Sequence, residues 1–224
     1  MNELPPEYFG PEQDTVLVGC PTYNGLADCL DEYLDAYQAL RWPKRSLMLV
    51  DNTNDGGEYA KLIYQKVLDA GGTLKRVEPS SDWEDTFNRS WNVLLTHALW
   101  NGYTWVLSLE QDVIVPPLTL DTLLNTACYI KAPFVTHTYP YHNGKPGFYQ
   151  GLGCTLMKTE LLQGALQYAY KRLPTVEGAI YDVAKRNSHA VLHQLLDIQH
   201  RDATGRHWQF EKTTNDEVAI GIES

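Results

Sequence analysis

Two acidic side chains follow an apolar segment in the run LSLEQDV. Thr104–Leu109 is predicted to be a buried strand, and Glu110, Gln111 and Asp112 come directly after it. Two carboxylates this close repel each other unless a cation lies between them or one takes a proton. Mg²⁺ and Mn²⁺ prefer oxygen ligands and keep positions open for substrate phosphates. The motif is therefore a candidate metal site, although a solvated turn at a strand end would use the same residue types.

Two other predicted strands also end in polar residues. Pro21–Gly25 follows the run VLVGC, and Asp51–Gly57 follows LMLV. Tyr23 could stack on a base, and the backbone N–H groups that begin the next helix could meet a phosphate. Asp51 could accept a hydrogen bond from a base or a ribose hydroxyl. Local Asx turns are the alternative reading for Asp51.

Strands and helices alternate along the first half of the chain, which predicts a parallel α/β sheet with helices on its faces. Ligands of such sheets bind beyond the carboxyl ends of the strands, so the three polar segments form one candidate site. Strands are predicted at Thr15–Cys20, Ser46–Val50, Thr73–Val77, Thr104–Leu109, Phe134–Tyr139 and Ala190–Ile198. Helices are predicted at Leu26–Leu40, Glu58–Ala70, Trp83–Ala98, Leu118–Cys128, Thr159–Arg172 and Ile180–Arg186, and a loop at Tyr141–Gly153.

Composition narrows the class of protein. The 224 residues are 43% hydrophobic, enough for a sizeable core, and no apolar stretch is long enough to insert stably into a membrane. The polar N-terminus lacks the features of a signal peptide, and the four cysteines have neither zinc nor redox spacing, so we expect a cytoplasmic protein. The net charge of −10 repels nucleic acid at long range.

Four segments of the first half resemble the family 2-like GT-A glycosyltransferases: VLVGCPTYNG, LMLVDNTNDG, WEDTFNRSWN and LSLEQDV. The resemblance implies a GT-A (Rossmann-like), mostly parallel sheet flanked by helices, in a single domain over 1–224. It divides that domain into a donor-binding half of about 14–115 and an acceptor and catalytic half of about 116–224. The nucleotide-sugar-binding residues that it implies are Pro21, Tyr23, Asn24, Asp51, Asn88, Arg89, Glu110 and Gln111.

The second half is similar to the same family in two places. Gly151–Met157 resembles its acceptor-side wall, and YDVAKRNSHAVLHQLLDIQH resembles the segment that carries the catalytic base and a metal-binding histidine. The match implies Asp182 as the base, with Glu177 as the alternative. It implies His200 and Asp112 as ligands of Mn²⁺ or Mg²⁺, with Glu110 bound directly or through water.

The resemblance implies a metal-dependent transfer of a hexose or pentose from a nucleotide-diphosphate sugar, with UDP favoured, to a hydroxyl group with inversion. A retaining enzyme could share the same donor half. The acceptor stays open between a glycan, a lipid-linked precursor and a modified base in DNA. The last is the substrate of similar phage enzymes, which would work in the host cytoplasm, and Lys171, Arg172, Lys185, Arg186, Arg201 and Arg206 could line a groove for it.

Three other functions compete with this one. A nucleotidyltransferase that makes sugar nucleotides would have basic residues in the first loop, but PTYNGLADCLDE has none. A dehydrogenase would show G-x-G-x-x-G after the first strand, and this chain does not. A non-catalytic nucleotide-sugar-binding module could keep the fold without the reaction.

Overall fold

The computed structural model describes residues 14–142, 145–149, 151–163, 176–192, 195–201, 207–208 and 220–223. Side chains are described for these residues except at 139–142, 145–149, 177, 207–208 and 220–223.

Thirteen strands are present in the described part of the chain, and they form three sheets. The largest sheet has eight strands in the order β13-β10-β6-β9-β4-β1-β2-β3. A second sheet has the order β12-β11-β5, and β7 pairs with β8. The strands are β1 (Val16–Thr22), β2 (Arg45–Asp51), β3 (Gly72–Arg76), β4 (Trp105–Leu109), β5 (Val113–Ile114), β6 (Phe134–His137), β7 (Tyr139–His142), β8 (Lys145–Tyr149), β9 (Cys154–Lys158), β10 (His189–Leu192), β11 (Gln199–Arg201), β12 (His207–Trp208) and β13 (Ile220–Glu223).

Strands β3, β2, β1 and β4 run parallel to one another. In this ladder Thr22 lies opposite Asp51, so β1 and β2 end at the same level. Strand β9 is antiparallel to both of its neighbours, β4 and β6, while β6 and β10 are parallel. The short strand β11 pairs with β5, which brings residues 199–201 back beside the end of β4.

Helices cover both faces of the large sheet. They are α1 (Leu30–Ala39), α2 (Glu58–Asp69), α3 (Trp83–Trp100), α4 (Thr119–Tyr129) and α5 (Val176–Arg186), with a 3-10 helix at Asn24–Cys29 before α1. The apolar faces of α1, α2 and α4 pack into one buried cluster, and those of α3 and α5 pack into a second cluster on the other face. Within the described residues no helix is both long and apolar enough to cross a bilayer.

Helix α3 illustrates how the sequence fixes an element. The Asp82 side chain caps its first turn by accepting a hydrogen bond from the Glu84 N–H, at 2.9 Å. Trp91, Leu94, Leu95 and Ala98 recur at helical spacing and are completely buried. The helix ends at Trp100, and Gly102 follows with a φ of +68°, which favours glycine because it lacks a Cβ.

The mostly parallel sheet flanked by helices is confirmed, and so are the first four strands in their expected positions. In the second half one prediction is wrong, and two predicted strands are present but shorter than expected. Tyr141–Gly153 is not a loop, because it contains most of the β7–β8 hairpin and the turn before β9. The strands predicted at Phe134–Tyr139 and Ala190–Ile198 are interrupted, ending at His137 and Leu192. Of the helix predicted at Thr159–Arg172, the structure describes only 159–163, which are helical.

Two leucines on helices provide a test of the α3 layer. Leu95 is fully buried in the core between α3 and the sheet, whereas Leu62 on α2 is 69% exposed. We expect Leu95→Ala to lower the free energy of unfolding by about 2–5 kcal/mol, because it removes buried methyl groups and leaves a cavity. Leu62→Ala makes the same change in helix propensity and should cost less than about 0.5 kcal/mol. Urea denaturation measures both, and equal losses would contradict this packing.

Candidate functional site

The candidate site lies at the carboxyl-end edge of the parallel ladder. Thr22 and Asp51 end β1 and β2 opposite each other, and Glu110 follows the end of β4. The backbone N–H of Glu110 donates to the carbonyl of Gly153 at 3.0 Å, and its carbonyl accepts from the Val113 N–H at 3.0 Å. The EQD motif is thus a tight turn between β4 and β5. Its position at this edge is the one that the strand order predicts.

Gln111 points into the protein. It is completely buried, and its amide nitrogen donates to the carbonyl of Leu26 at 2.7 Å. Its amide oxygen accepts a hydrogen bond from the hydroxyl of Thr22, and Tyr59 lies beside both groups. A buried amide needs these partners, since an unmet polar group is costly. Gln111 therefore ties the turn to β1 and to the 3-10 helix, and a contact with the donor stays a prediction for this residue.

Glu110 and Asp112, on either side of Gln111, are both partly exposed. Their negative charges both act on Cys20, near the end of β1. Burial raises the pKa of the Cys20 thiol, and the negative charges of Glu110 and Asp112 raise it further. The structure thus brings both predicted acids to one region of the edge.

His200 lies beside Asp112, although 88 residues separate them in the chain. The Nε2 of His200 is 3.2 Å from the Oδ2 of Asp112, and the next residue, Arg201, donates its backbone N–H to the Asp112 carbonyl at 2.8 Å. Strand β11 makes these contacts because it pairs with β5, with His200 opposite Val113. The predicted metal ligand of the second half, His200, is therefore brought together with Asp112, a predicted ligand of the first half.

The Asp112–His200 pair fits a divalent cation. Two ligands of one octahedral ion at roughly 2.1 Å are about 3 Å apart, close to the observed spacing. Imidazole and carboxylate are both accepted by Mn²⁺-type ions. In the part of the chain with described side chains, no group of three His, Cys, Asp or Glu residues is arranged around one point. Water and donor phosphates would have to complete the coordination.

Asp51 is bound on both carboxylate oxygens. Oδ1 accepts from the backbone N–H and the hydroxyl of Thr53, at 3.1 and 2.7 Å, which is an Asx-type turn. Oδ2 accepts from the guanidinium of Arg76 at 2.8 Å. Asp51 is fully buried, whereas the side chain of Arg76 is 20% exposed. The Asx turn is present, whereas a contact of Asp51 with a nucleotide stays a prediction. Of the two residues of this ion pair, Arg76 is the more accessible.

The first loop offers the most exposed candidates. Tyr23 is 48% exposed, Asn24 is exposed and Pro21 is half-buried. The N–H of Asn24 donates to the Thr53 hydroxyl at 3.0 Å, which joins this loop to the end of β2. The ring of Tyr23 lies over Gly25, where an added Cβ would be 2.2 Å from a ring carbon. Glycine at that position is what allows the ring to lie there.

Asn88 and Arg89 of α3 have protein partners. The Oδ1 of Asn88 accepts from the N–H of Val176 at 2.8 Å and so caps the start of α5. Arg89 pairs with Asp85 at 3.0 Å and donates to the carbonyl of Glu78 at 2.7 Å. The contacts of Asn88 and Arg89 with the donor stay predictions.

Asp182 lies within α5, not at its start, and its side chain is 35% exposed. One oxygen accepts from Arg186, one turn later, at 2.6 Å. Glu177 is in the first turn of the same helix, and its side chain lies outside the described residues. The helix carries both candidate bases, and the choice between them stays open.

Arg76 is the site residue that the sequence reading missed. It is the last residue of β3, so the rule that drew attention to the ends of β1, β2 and β4 applies to it equally. The sequence predicts the strand at Thr73–Val77, which places Arg76 inside it and not at its end. Thr22 belongs to the predicted segment Pro21–Gly25, but its hydroxyl is given no role there, because a hydroxyl at a strand end carries no signal of its own.

Comparison with solved structures identifies the fold. S. aureus TarS superimposes with a TM-score of 0.60 at 16% identity, over 80% of this chain and 35% of that one. TarS 1-349 in complex with UDP gives 0.59 at 16% identity, over 80% and 57%. The complex of TarS 1-349 with UDP-GlcNAc gives 0.52 at 17% identity, over 66% and 46%.

This chain therefore spans between a third and three fifths of those TarS chains, and the shared fold is the GT-A glycosyltransferase fold. No family model and no curated protein matches the sequence.

Gln111 gives the sharpest test of how the turn is held. Gln111→Ala would leave the buried Thr22 hydroxyl and Leu26 carbonyl without their partner, so we expect a loss of about 1–3 kcal/mol in the free energy of unfolding. Gln65→Ala is the matched control, because Gln65 bonds Asp69 on the exposed face of α2. Urea denaturation should show this loss of unfolding free energy for Gln111→Ala and a negligible loss for Gln65→Ala. Similar stabilities would mean that Gln111 does not fix the turn.

Proposed function

We propose that this protein is a metal-dependent glycosyltransferase that uses a nucleotide-diphosphate sugar, with UDP favoured, and a hydroxyl acceptor. The observation that carries the proposal is the Asp112–His200 pair, 3.2 Å apart at the carboxyl-end edge of a GT-A sheet. TarS, with which this chain shares that fold, has been solved with UDP and with UDP-GlcNAc.

The donor would lie along the ends of β1, β2 and β3. Tyr23 offers an exposed ring for stacking on the base, and Arg76 offers a guanidinium that Asp51 and the exposed Glu78 hold in place. The backbone N–H groups that follow Tyr23 can meet negative charge. We assign the donor to about 14–115 and the acceptor and catalysis to about 116–224.

Asp112 and His200 would hold Mn²⁺ or Mg²⁺, with Glu110 bound to the ion directly or through water. The ion, when bound, supplies positive charge that stabilises the departing nucleotide diphosphate. Asp182, or Glu177, would accept the proton of the acceptor hydroxyl, which gives direct displacement and inversion.

None of the four cysteines is in a disulfide, which supports a reaction in the cytoplasm.

Among acceptors, a glycan or lipid-linked precursor is favoured over DNA. Of the basic residues that could form a groove, Arg186 pairs with Asp182, and Arg201 pairs with Glu32. Lys171, Arg172 and Arg206 lie outside the described residues. The net charge of −10 opposes a polyanionic acceptor as well.

Calorimetry with UDP tests the metal role. We expect Mn²⁺ to strengthen UDP binding by about 5- to 150-fold over EDTA, because the ion would join the diphosphate to Asp112 and His200. Asp112→Asn should abolish this gain without changing the affinity in EDTA. Asp69→Asn, an exposed carboxylate on α2, is the control and should keep the full gain. Equal UDP affinity of the wild type in EDTA and in Mn²⁺ would refute the metal role.

Turnover separates the base from the binding residues. With a panel of UDP- and GDP-sugars, we expect Asp182→Asn to lower the rate of transfer or donor hydrolysis by about 10²–10⁴-fold. UDP affinity should be nearly unchanged, because a base acts mainly in the transition state. Arg186→Gln, which removes the partner and keeps the carboxylate, is the control. If Asp182→Asn is active while Glu177→Gln is inactive, Glu177 is the base.

A further inference from the structure

Strand β11 makes contacts in two directions. It pairs with β5 on one edge and with β12 on the other, and it carries His200 against Asp112. Successive side chains of a strand point to opposite faces, so the neighbour of His200 must point away from the metal pair. That neighbour is Arg201, and its side chain is largely enclosed, at 17% exposure.

The guanidinium of Arg201 reaches the segment that follows the first loop. Its Nη1 donates to the carbonyl of Asp28 at 2.9 Å and lies 3.0 Å from the Oε2 of Glu32. Asp28 belongs to the 3-10 helix and Glu32 to α1. The side chain of Arg201 therefore contacts the 3-10 helix and α1, while its backbone N–H contacts Asp112.

We infer that Arg201 is a positioning residue for the metal site: its side chain anchors β11 on the 3-10 helix and α1, so that its own N–H and the ring of His200 hold Asp112 in the orientation for a divalent cation. The inference rests on the proposed function and adds to it a residue that would not touch the ion. Partners outside the ligand shell commonly govern how well a ligand pair is oriented.

Strand β11 needs such an anchor for a physical reason. It has three residues, and its sheet contains only short strands among the described residues, so little ladder hydrogen bonding holds it. Its contact with β5 pairs only Gln199 and His200, and its contact with β12 on the other edge pairs only His200 and Arg201. One charged nitrogen, Nη1, contacts a carbonyl and a carboxylate together, and hydrogen bonds from a charged donor are stronger than neutral ones.

The experiment measures Mn²⁺ binding itself, from the electron paramagnetic resonance signal of free Mn²⁺, with the full-length chain and with and without UDP. We expect Arg201→Ala to weaken Mn²⁺ binding by about 10- to 100-fold, the usual effect of losing an outer-shell partner. Arg201→Lys should recover part of the loss. UDP affinity in EDTA should stay within about two-fold of wild type, which a general loss of structure would not allow.

Lys66→Ala is the matched control, because Lys66 forms an exposed ion pair with Asp31 of α1, at 2.7 Å, and contacts nothing in the metal pair. It should leave Mn²⁺ binding unchanged. If Arg201→Ala does not fold, as judged by thermal unfolding, Glu32→Gln decides, because it keeps Arg201 and removes the charge of its partner: weaker Mn²⁺ binding supports the inference and unchanged binding overturns it.

A folded Arg201→Ala protein that binds Mn²⁺ as the wild type does overturns the positioning role and leaves the proposed function intact. A wild-type protein that binds no Mn²⁺, even with UDP, overturns the metal role together with this inference.

Discussion

The parallel pairing of β1 with its two neighbours, β2 and β4, constrains everything at the candidate site. It sets Thr22 opposite Asp51 and places the EQD turn next to both. Gln111 then closes the arrangement, since its buried amide must bond the Thr22 hydroxyl and the Leu26 carbonyl. With that side chain committed to the interior, Glu110 and Asp112 on either side of it are left partly exposed.

Three polar groups at this edge are held by groups from another element. Asp51 accepts a hydrogen bond from Arg76, and the Thr53 hydroxyl accepts one from the Asn24 N–H. Asp112 is contacted by His200 and by the backbone N–H of Arg201, both in β11. Such cross-links between strand ends keep charged side chains in fixed positions. A site that must orient a diphosphate and a cation benefits from this order, because binding then spends little on arranging the protein.

The sequence allowed the edge to be predicted but not the partners at that edge. Apolar runs followed by polar residues locate the ends of β1, β2 and β4, and the order of strands does the rest. That Gln111 faces inward and that Asp51 bonds Arg76 depends on the pleat and on the side chains opposite, which no local pattern reports. The sequence predicts a loop at Tyr141–Gly153 because the segment is rich in glycine, tyrosine and polar residues, and the pairing of β7 with β8 depends on contacts that such a composition does not report. Resemblance, not periodicity, suggested His200, and the pairing of β11 with β5 brings it to Asp112.

The most direct test of the account is a crystal structure of the protein with UDP and Mn²⁺, with data collected for the anomalous signal of manganese. The account predicts one anomalous peak within coordinating distance of the Oδ2 of Asp112 and the Nε2 of His200, with the diphosphate of UDP on its open side. A nucleotide bound elsewhere, or bound at this edge with the manganese away from both residues, would contradict it.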